Sequence, residues 1–328
     1  MRKAVLALLV VAALLGCGRS LSRGGKPAQA VTVAYTTQPQ CTLVHIAVAN
    51  GYFAEEGLEV RSSLHTYGKA ALQSLLEHRA DFATVAETPV MFNALKGEAF
   101  LVIANIEASS LNNAIVARKD AGIAAASDLK GKRIGFTPGT TSDFFLDSML
   151  TTLGLTRQAI RPMALKPEEM LPAILAGQVD AVCTWNYPLT QIKRQLGANG
   201  TVIFDREIYT ETFNVAATRE IVGNRPEAVQ GFLRALIKAE RFVAEQPAKA
   251  QALMAAATRT DPEVVREVWD AFNYRVRLDQ ALLITLEDEA RWAVKHQLTD
   301  RTGMPDFRRF IHLDSLRRVK PEAVTAGW

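Results

Sequence analysis

Short apolar runs of strand type alternate with longer runs of helical period along most of this chain. The first set predicts helices at residues 42–50, 68–78 and 89–96, placed between strands at residues 31–35, 58–64, 81–85 and 100–106. Leu43, Ile46 and Ala47 have helical spacing, and Gly51 is a typical C-terminal stop. Strands that alternate with helices of this length are typical of a mainly parallel sheet covered on both faces.

A second set of the same kind follows. It predicts strands at residues 133–136, 163–165, 179–184 and 202–204, and helices at residues 142–153, 167–176 and 189–196. The two sets also echo each other, because Asp81 and Asp180, and Pro89 and Pro188, are each 99 residues apart. Coincidence among common α/β patterns is the alternative, but the repeated offset favours two similarly built lobes.

Two further β-like runs, at residues 112–118 and 212–218, bracket the second set. The simplest chain path leaves one lobe, builds the other and returns. We therefore predict an α/β fold of two lobes with mainly parallel sheets, joined by two hinge crossings. Residues 31–112 and 214–328 are predicted to form lobe 1, and residues 113–213 lobe 2. Four helical stretches after residue 219 add extra C-terminal helices to lobe 1, at residues 224–245, 247–257, 262–272 and 280–297.

The N-terminus has the pattern of a secretory signal. Arg2 and Lys3 precede an apolar run over residues 4–15, which is too short to span a membrane. The following Leu14-Leu15-Gly16-Cys17 has the order of a bacterial lipobox, in which Cys17 is diacylated. An ordinary signal with a chance cysteine is the alternative. Residues 1–17 are thus predicted as a lipoprotein signal peptide and residues 18–30 as a polar tether to the membrane.

The net charge of the chain is close to zero once residues 1–30 are left out of the count. The whole sequence has 38 basic and 34 acidic residues and a pI near 9.0. Residues 1–30 hold five basic and no acidic residues, so the remainder carries 33 basic and 34 acidic side chains. The basic pI therefore gives no argument for a nucleic-acid partner.

The candidate ligand site lies in the loops that follow the predicted strands. Ligands of open parallel sheets sit beyond the carboxyl ends of the strands, where loops enter helices. Hydroxyls, amides, glycines and aromatic rings dominate these loops, with almost no titratable group. The candidate ligand-binding residues are Thr37, Gln38, Tyr67, Gly68, Glu87, Thr88, Gly139, Thr140, Thr141, Ser142, Trp185 and Asn186.

Most of these residues have two interpretations. Gly139 and the hydroxyls that follow it suit an anion seat at a helix start, but Thr141 or Ser142 also suits a helix cap, and the two roles are compatible. Trp185 suits either a stacking wall of the cleft or plain core packing. Glu87 suits acceptance from a ligand amine or hydroxyl, or capping of the next helix. Lys69, in a first helical turn, suits a solvated cation better than an anion clamp.

The two cysteines that remain, Cys41 and Cys183, could pair in an oxidising compartment, but no spacing indicates a disulfide framework or a zinc site. Cys41 and His45, four residues apart, could also join Cys183 in a metal or redox site. A metal or redox site would lack a fourth ligand, so small buried residues are the better interpretation. No nucleophile, base and orienting group fall together either. We therefore predict no catalytic residue, no metal and no cofactor.

Four segments resemble one class of periplasmic binding proteins. They are Asn50–Val60 (NGYFAEEGLEV), Ala80–Ala83 (ADFA), Asp128–Gly135 (DLKGKRIG) and Ala176–Ala181 (AGQVDA). The class binds nitrate, sulfonates, taurine or thiamine-pyrimidine precursors for ABC importers. The resemblance implies a type II periplasmic-binding-protein fold that closes on a small molecule, with an ABC permease and ATPase as partners.

The resulting hypothesis is a monomeric solute-binding lipoprotein, in the periplasm or at the outer face of the cytoplasmic membrane. It captures a small organic ligand, sulfonate-, carboxylate- or heterocycle-bearing, and delivers it to an ABC importer. Two alternatives stay open, a ligand sensor for a membrane receptor and an enzyme like the pyrimidine synthases of this class. The second is disfavoured, because the cysteine-rich segment of those enzymes has no counterpart here.

Overall fold

The computed structural model describes residues 28–328. The predictions made for residues 1–27, which include the signal peptide, Cys17 and most of the tether, lie outside these residues. The first strand begins at Gln29, so the last residues assigned to the tether are already part of the folded body.

Ten strands form two five-stranded sheets in the described part of the chain. The strands are β1 Gln29–Thr36, β2 Leu58–His65, β3 Phe82–Ala86, β4 Phe100–Ser109, β5 Ala114–Arg118, β6 Arg133–Phe136, β7 Arg161–Ala164, β8 Ala181–Thr184, β9 Gly200–Ile203 and β10 Glu211–Thr218. The first sheet has the order β2-β1-β3-β10-β4 and the second the order β7-β6-β8-β5-β9.

The helices cover both sheets. They are α1 Thr42–Ala49, α2 Tyr52–Glu55, α3 Gly68–Leu76, α4 Glu87–Lys96, α5 Thr141–Thr152, α6 Pro167–Leu175, α7 Pro188–Leu196, α8 Arg219–Asn224, α9 Pro226–Glu245, α10 Pro247–Thr258, α11 Pro262–Val268, α12 Gln280–Lys295 and α13 Asp314–Val319. Proline opens several of them, where its missing N–H is not needed. At α11 the Asp261 carboxylate also accepts from the Glu263 amide at 2.8 Å.

Each sheet contains one strand that runs against the other four. In the first sheet β10 pairs antiparallel with β3 and β4, and in the second β5 pairs antiparallel with β8 and β9. The remaining pairs are parallel. These two strands follow the two crossings of the chain between the sheets. The predicted two-lobed α/β fold with mainly parallel sheets is confirmed.

The lobe limits predicted from the sequence stay a prediction, but one of them divides a strand. The limit between residues 213 and 214 falls inside β10, which pairs with the first sheet from Glu211 onward.

The helix predicted at residues 262–272 is shorter, since α11 ends at Val268 and a 3-10 turn, Trp269–Ala271, follows. The tail beyond residue 306 contains α13 and buries Phe307 and Leu316.

The core is divided unequally between the lobes. One continuous apolar cluster holds the first sheet and the C-terminal helices together, and Phe82 stacks on Phe232 of α9 with ring centroids 4.2 Å apart. The second sheet carries a smaller cluster on each face, with Phe145 on one side and Ile192 on the other. The C-terminal helices thus enlarge lobe 1, while lobe 2 is a sheet with two separate apolar faces.

Candidate functional site

A small cavity lies where strand ends and helix starts of the two lobes meet. Its volume is about 20 Å³, room for about one water molecule. The lining residues are Gln38, Gln40, Tyr67, Gly68, Lys69, Ala86, Pro89, Thr140, Thr141, Trp185, Glu211 and Phe213. Six of them, Gln38, Tyr67, Gly68, Thr140, Thr141 and Trp185, belong to the candidate set from the sequence.

Local backbone geometry explains how α3 reaches this cavity. The helix begins at Gly68, where a Cβ atom would lie 3.0 Å from the Cα of Val85 and 3.2 Å from the Cζ of Phe213. A side chain at this position would therefore push the helix start away from the sheet. Glycine allows the close approach that brings Tyr67 and Lys69 to the cavity.

Glu211 is the buried acid of the lining, and the sequence did not indicate it. Its carboxylate accepts from Gln40 Nε2 at 3.1 Å, and from Asn112 Nδ2 and Asn113 Nδ2 at 2.5 Å each. The Thr141 hydroxyl is a fourth partner. Burial raises the pKa of Glu211, and these donors oppose the rise.

The contacts of Glu211 connect both lobes with both crossings. Asn112 and Asn113 belong to the first crossing, and Glu211 begins the strand that follows the second. Thr141 opens α5 of lobe 2, and Gln40 lies in a 3-10 turn of lobe 1. Any displacement of the lobes therefore changes the surroundings of this carboxylate.

Lys69 lies at the mouth of the cavity. Its side chain is exposed, as predicted for a solvated cation, but its ammonium also donates to the Pro138 carbonyl of lobe 2 at 2.9 Å. Lys69 therefore connects the two lobes at the rim.

The loop predicted as an anion seat is largely bonded to itself. The Thr137 amide donates to Ser142 Oγ at 3.1 Å, the Gly139 amide donates to Asp143 Oδ2 at 2.8 Å, and the Thr140 hydroxyl donates to the Thr137 carbonyl at 2.7 Å. Ser142 and Gly139 thus hold the shape of the loop. Thr140 and Thr141 are its members that line the cavity.

Glu87 points away from the cavity, into the second crossing. Its carboxylate accepts from the Thr212 amide at 2.7 Å and the Thr212 hydroxyl at 3.0 Å, and it also bonds the Tyr209 hydroxyl. Burial, together with the nearby Glu211, raises the pKa of Glu87 to about 8. Glu87 is therefore protonated at neutral pH and anchors the chain that returns to lobe 1.

The other candidates, Thr88, Asn186 and Thr37, also lie outside the lining. The Thr88 hydroxyl donates to Glu289 Oε1 of α12 at 2.5 Å. The Asn186 amide donates to Asn112 Oδ1 at 3.0 Å, and Asn186 Oδ1 accepts from the Thr190 hydroxyl at 2.7 Å. Thr37 is half-buried just after β1. Six of the residues predicted from the sequence therefore line the cavity, and of the others only Glu87 and Asn186 bond the crossings or the strand that follows.

Two polar atoms of the lining are buried without a hydrogen-bond partner, Gln40 Oε1 and Trp185 Nε1. Both side chains are at least nine-tenths buried, with exposed fractions of 2% and 4%. A buried polar atom without a partner is unfavourable, so this acceptor and this donor are free to meet a ligand.

Cys41, His45 and Cys183 are core residues. Cys41 Sγ contacts Thr84 Oγ1 at 3.0 Å, and burial raises the pKa of its thiol. His45 Nε2 lies 2.8 Å from the Thr36 carbonyl oxygen, and burial lowers the pKa of the ring. Cys183, in the other lobe, donates to the Ser142 carbonyl at 3.2 Å. Within residues 28–328 no cluster of His, Cys, Asp or Glu is arranged to hold a metal ion.

No helix within residues 28–328 combines the length and the apolar character that crossing a membrane requires.

Comparison with known proteins places the fold and the family. A Brucella abortus protein described as a binding protein is 28% identical over 229 residues, 67% of this chain and 68% of that protein. A Bacillus subtilis protein described as aliphatic sulfonates-binding is 27% identical over 274 residues, 82% of each chain. The alkanesulfonate-binding protein of Xanthomonas axonopodis pv. citri, solved with bound MOPS, superposes with a TM-score of 0.77 at 19% identity, over 88% of this chain and 99% of that one.

Because the sequence identity to this solved structure is only 19%, the superposition supports a shared fold and nothing more. The family follows from the sequence. The model of the family described as NMT1/THI5 like matches residues 38–250, more than half of the chain. The matched residues run from Gln38, which follows β1 and lines the cavity, through all of the second sheet and into α10. The resemblance drawn from the four sequence segments is confirmed, and the chain belongs to the NMT1/THI5 like family.

Proposed function

We propose that this chain is an extracytoplasmic solute-binding lipoprotein of an ABC importer. It captures a small organic ligand, sulfonate-, carboxylate- or heterocycle-bearing, between its two lobes and delivers it to a permease and its ATPase. The observation that carries the proposal is the cavity between the lobes, to which both contribute side chains beyond their strand ends. The similarity to binding proteins of the same family supports it.

The size of the cavity requires that the lobes move apart to admit a ligand. A volume of about 20 Å³ holds no organic molecule. Two crossings form the axis of such a movement, and Glu211, Asn112 and Asn113 lie on that axis and beside the cavity. Ligand contacts at Glu211 therefore act directly on the groups that hold the closed arrangement.

Binding is tested on the full chain purified in detergent. Sulfonates, carboxylates and nitrogen heterocycles are screened by thermal unfolding, since a ligand that binds the folded protein alone raises the melting temperature by mass action. One class is expected to raise the midpoint in a concentration-dependent manner. Absence of any shift, together with turnover of one of the compounds, would favour the enzyme alternative.

The lipid anchor is tested separately. Cys17→Ser removes the predicted acylation site, so the variant is expected to leave the membrane fraction and to bind ligand as the unchanged chain does. Fractionation followed by immunoblotting measures the distribution. A Cys17→Ser protein that stays with the membrane would refute lipidation at this position.

A further inference from the structure

Three buried acidic side chains lie at or near the cavity, and Glu87 among them is uncharged at neutral pH. Glu211 lines the cavity, and the fully buried carboxyls of Glu87 and Glu107 lie close enough for each to interact electrostatically with Glu211. The basic residue of the lining is Lys69, whose ammonium is at the mouth and already bonded to the Pro138 carbonyl. Arg277, which is not a lining residue, interacts electrostatically with Glu107 and opposes the rise that burial causes in its pKa. Within residues 28–328, an ionised Glu211 therefore has hydrogen-bond donors but no cation beside it.

The unpaired polar atoms of the lining are one donor, Trp185 Nε1, and one acceptor, Gln40 Oε1, and the acceptor belongs to a residue that bonds Glu211. Gln40 directs its Nε2 donor to Glu211, which leaves Gln40 Oε1 as an acceptor without a partner. The cavity thus presents a carboxylate and an amide oxygen next to each other. A group with several N–H bonds can satisfy both acceptors at once.

Aromatic side chains surround these acceptors. Tyr67 comes from lobe 1, Trp185 from lobe 2, and Phe213 follows Glu211 by two residues on β10. Aromatic faces attract cations through the ring quadrupole, and they stack on flat apolar groups. A carboxylate within an aromatic lining is a suitable environment for an organic cation.

The same environment disfavours an anion. Neither Arg nor His occurs among the cavity-lining residues of the part of the chain that the structure describes. A sulfonate at this place would share a space of low dielectric constant with the Glu211 carboxylate, and both charges would lose their hydration.

We propose that the ligand of this cleft presents a protonated amine or amidine group to Glu211 and Gln40, with a flat apolar body against Trp185. The proposal rests on the proposed function and narrows its ligand class to molecules with a basic nitrogen. Because Glu211 also bonds Asn112 and Asn113 of the first crossing, the same ion pair stabilises the closed arrangement.

Three probes with one ring and different charges test the proposal by calorimetry on the full chain in detergent. Benzamidine is expected to bind at least about tenfold more tightly than benzoate or benzenesulfonate, because a buried ion pair with Glu211 forms only with the cation. Either anion binding as tightly as benzamidine, or no binding of benzamidine, overturns the proposal.

Two variants test whether Glu211 causes the preference for benzamidine over the two anions. Glu211→Gln is expected to lower the benzamidine affinity by at least about tenfold and to leave the affinity for benzoate unchanged or higher. Glu289→Gln, the same change at a buried acid outside the lining, is expected to keep the preference of the unchanged protein. Loss of the preference in Glu289→Gln, or its retention in a folded Glu211→Gln, overturns the assignment.

A third measurement needs no variant. The full chain, purified without added ligand and then denatured, is analysed by mass spectrometry for released small molecules, and a compound with a basic nitrogen is expected. A released or bound sulfonate overturns this narrower proposal and leaves the proposed function standing. A chain that releases no small molecule and binds none of the probes or screened compounds contradicts both.

Discussion

The two lobes contain equivalent strand-to-helix junctions that differ in chemistry. In lobe 1 the junction is Ala86-Glu87-Thr88-Pro89, which starts at the last residue of β3, and in lobe 2 it is Trp185-Asn186-Tyr187-Pro188, which follows β8 and lies 99 residues later. The first residue of each junction, Ala86 or Trp185, lines the cavity. The second residue bonds a crossing of the chain. Glu87 bonds Tyr209 of the second crossing and Thr212 at the start of β10, and Asn186 bonds Asn112 of the first crossing.

Adjacent residues of each junction therefore perform two different tasks. The first position, at the end of the strand in lobe 1 and just beyond it in lobe 2, lines the cavity, and its side chain is a methyl group in lobe 1 and a large ring in lobe 2. The next position anchors the hinge and is buried in both lobes. Glu87 makes its anchor through a carboxyl group, whereas Asn186 uses its own backbone amide for the crossing and its side chain for α7. The junction of lobe 1 should therefore respond more strongly to pH and to substitution.

The largest expected difference between the two junctions is how strongly each makes the free energy of unfolding depend on pH. The folded protein holds the Glu87 proton up to about pH 8, whereas the ordinary pKa of a glutamate is 4.5. The stability from this proton is fully present below the unfolded pKa and is lost as the pH rises through the folded pKa. We expect the free energy of unfolding to fall by about 4 kcal/mol between pH 5 and pH 8. Urea unfolding at each pH measures the fall.

Glu87→Gln is the control for this pH profile. The amide keeps the size of the side chain and an acceptor for Thr212 but does not titrate, so the profile should become flatter. Asn186, the equivalent residue of lobe 2, does not titrate either, and Asn186→Asp is not expected to reproduce the slope of Glu87. A Glu87→Gln profile as steep as that of the unchanged protein would show that other carboxyls cause the fall.

Much of this architecture could be predicted from the sequence, because apolar period and turn residues determine where strands and helices form. The direction in which a loop residue faces could not be predicted. Ala86 and Glu87 are neighbours, yet one lines the cavity and the other anchors the hinge. Glu211 was missed because a charged residue before an apolar run resembles the end of a loop, although it is the first residue of β10. Gln40 lies in a 3-10 turn, which has no strong sequence signal.

The second-largest effect expected is the loss of stability when the hydrogen bonds of Glu87 are removed. Glu87→Ala leaves the Thr212 amide and the Tyr209 hydroxyl buried without their partner. Removal of one partner from a buried hydrogen-bonded set costs the full desolvation of what remains, so we expect a loss of about 3 kcal/mol. Urea unfolding at constant pH measures it, with an unchanged m-value as evidence that both variants unfold alike. A loss below 1 kcal/mol would mean that water replaces the carboxyl group.

The smallest effect is expected at the equivalent position of lobe 2. Asn186→Ala keeps the backbone amide that donates to Asn112 and removes only the bond from the Thr190 hydroxyl. The hydroxyl is then buried alone, so we expect a loss of about 1 kcal/mol. Thr190→Val removes the same bond without leaving an unpaired donor and should cost less than Asn186→Ala. If Asn186→Ala costs as much as Glu87→Ala, the side chain of Asn186 supports its crossing as directly as that of Glu87, and the two junctions are energetically equivalent.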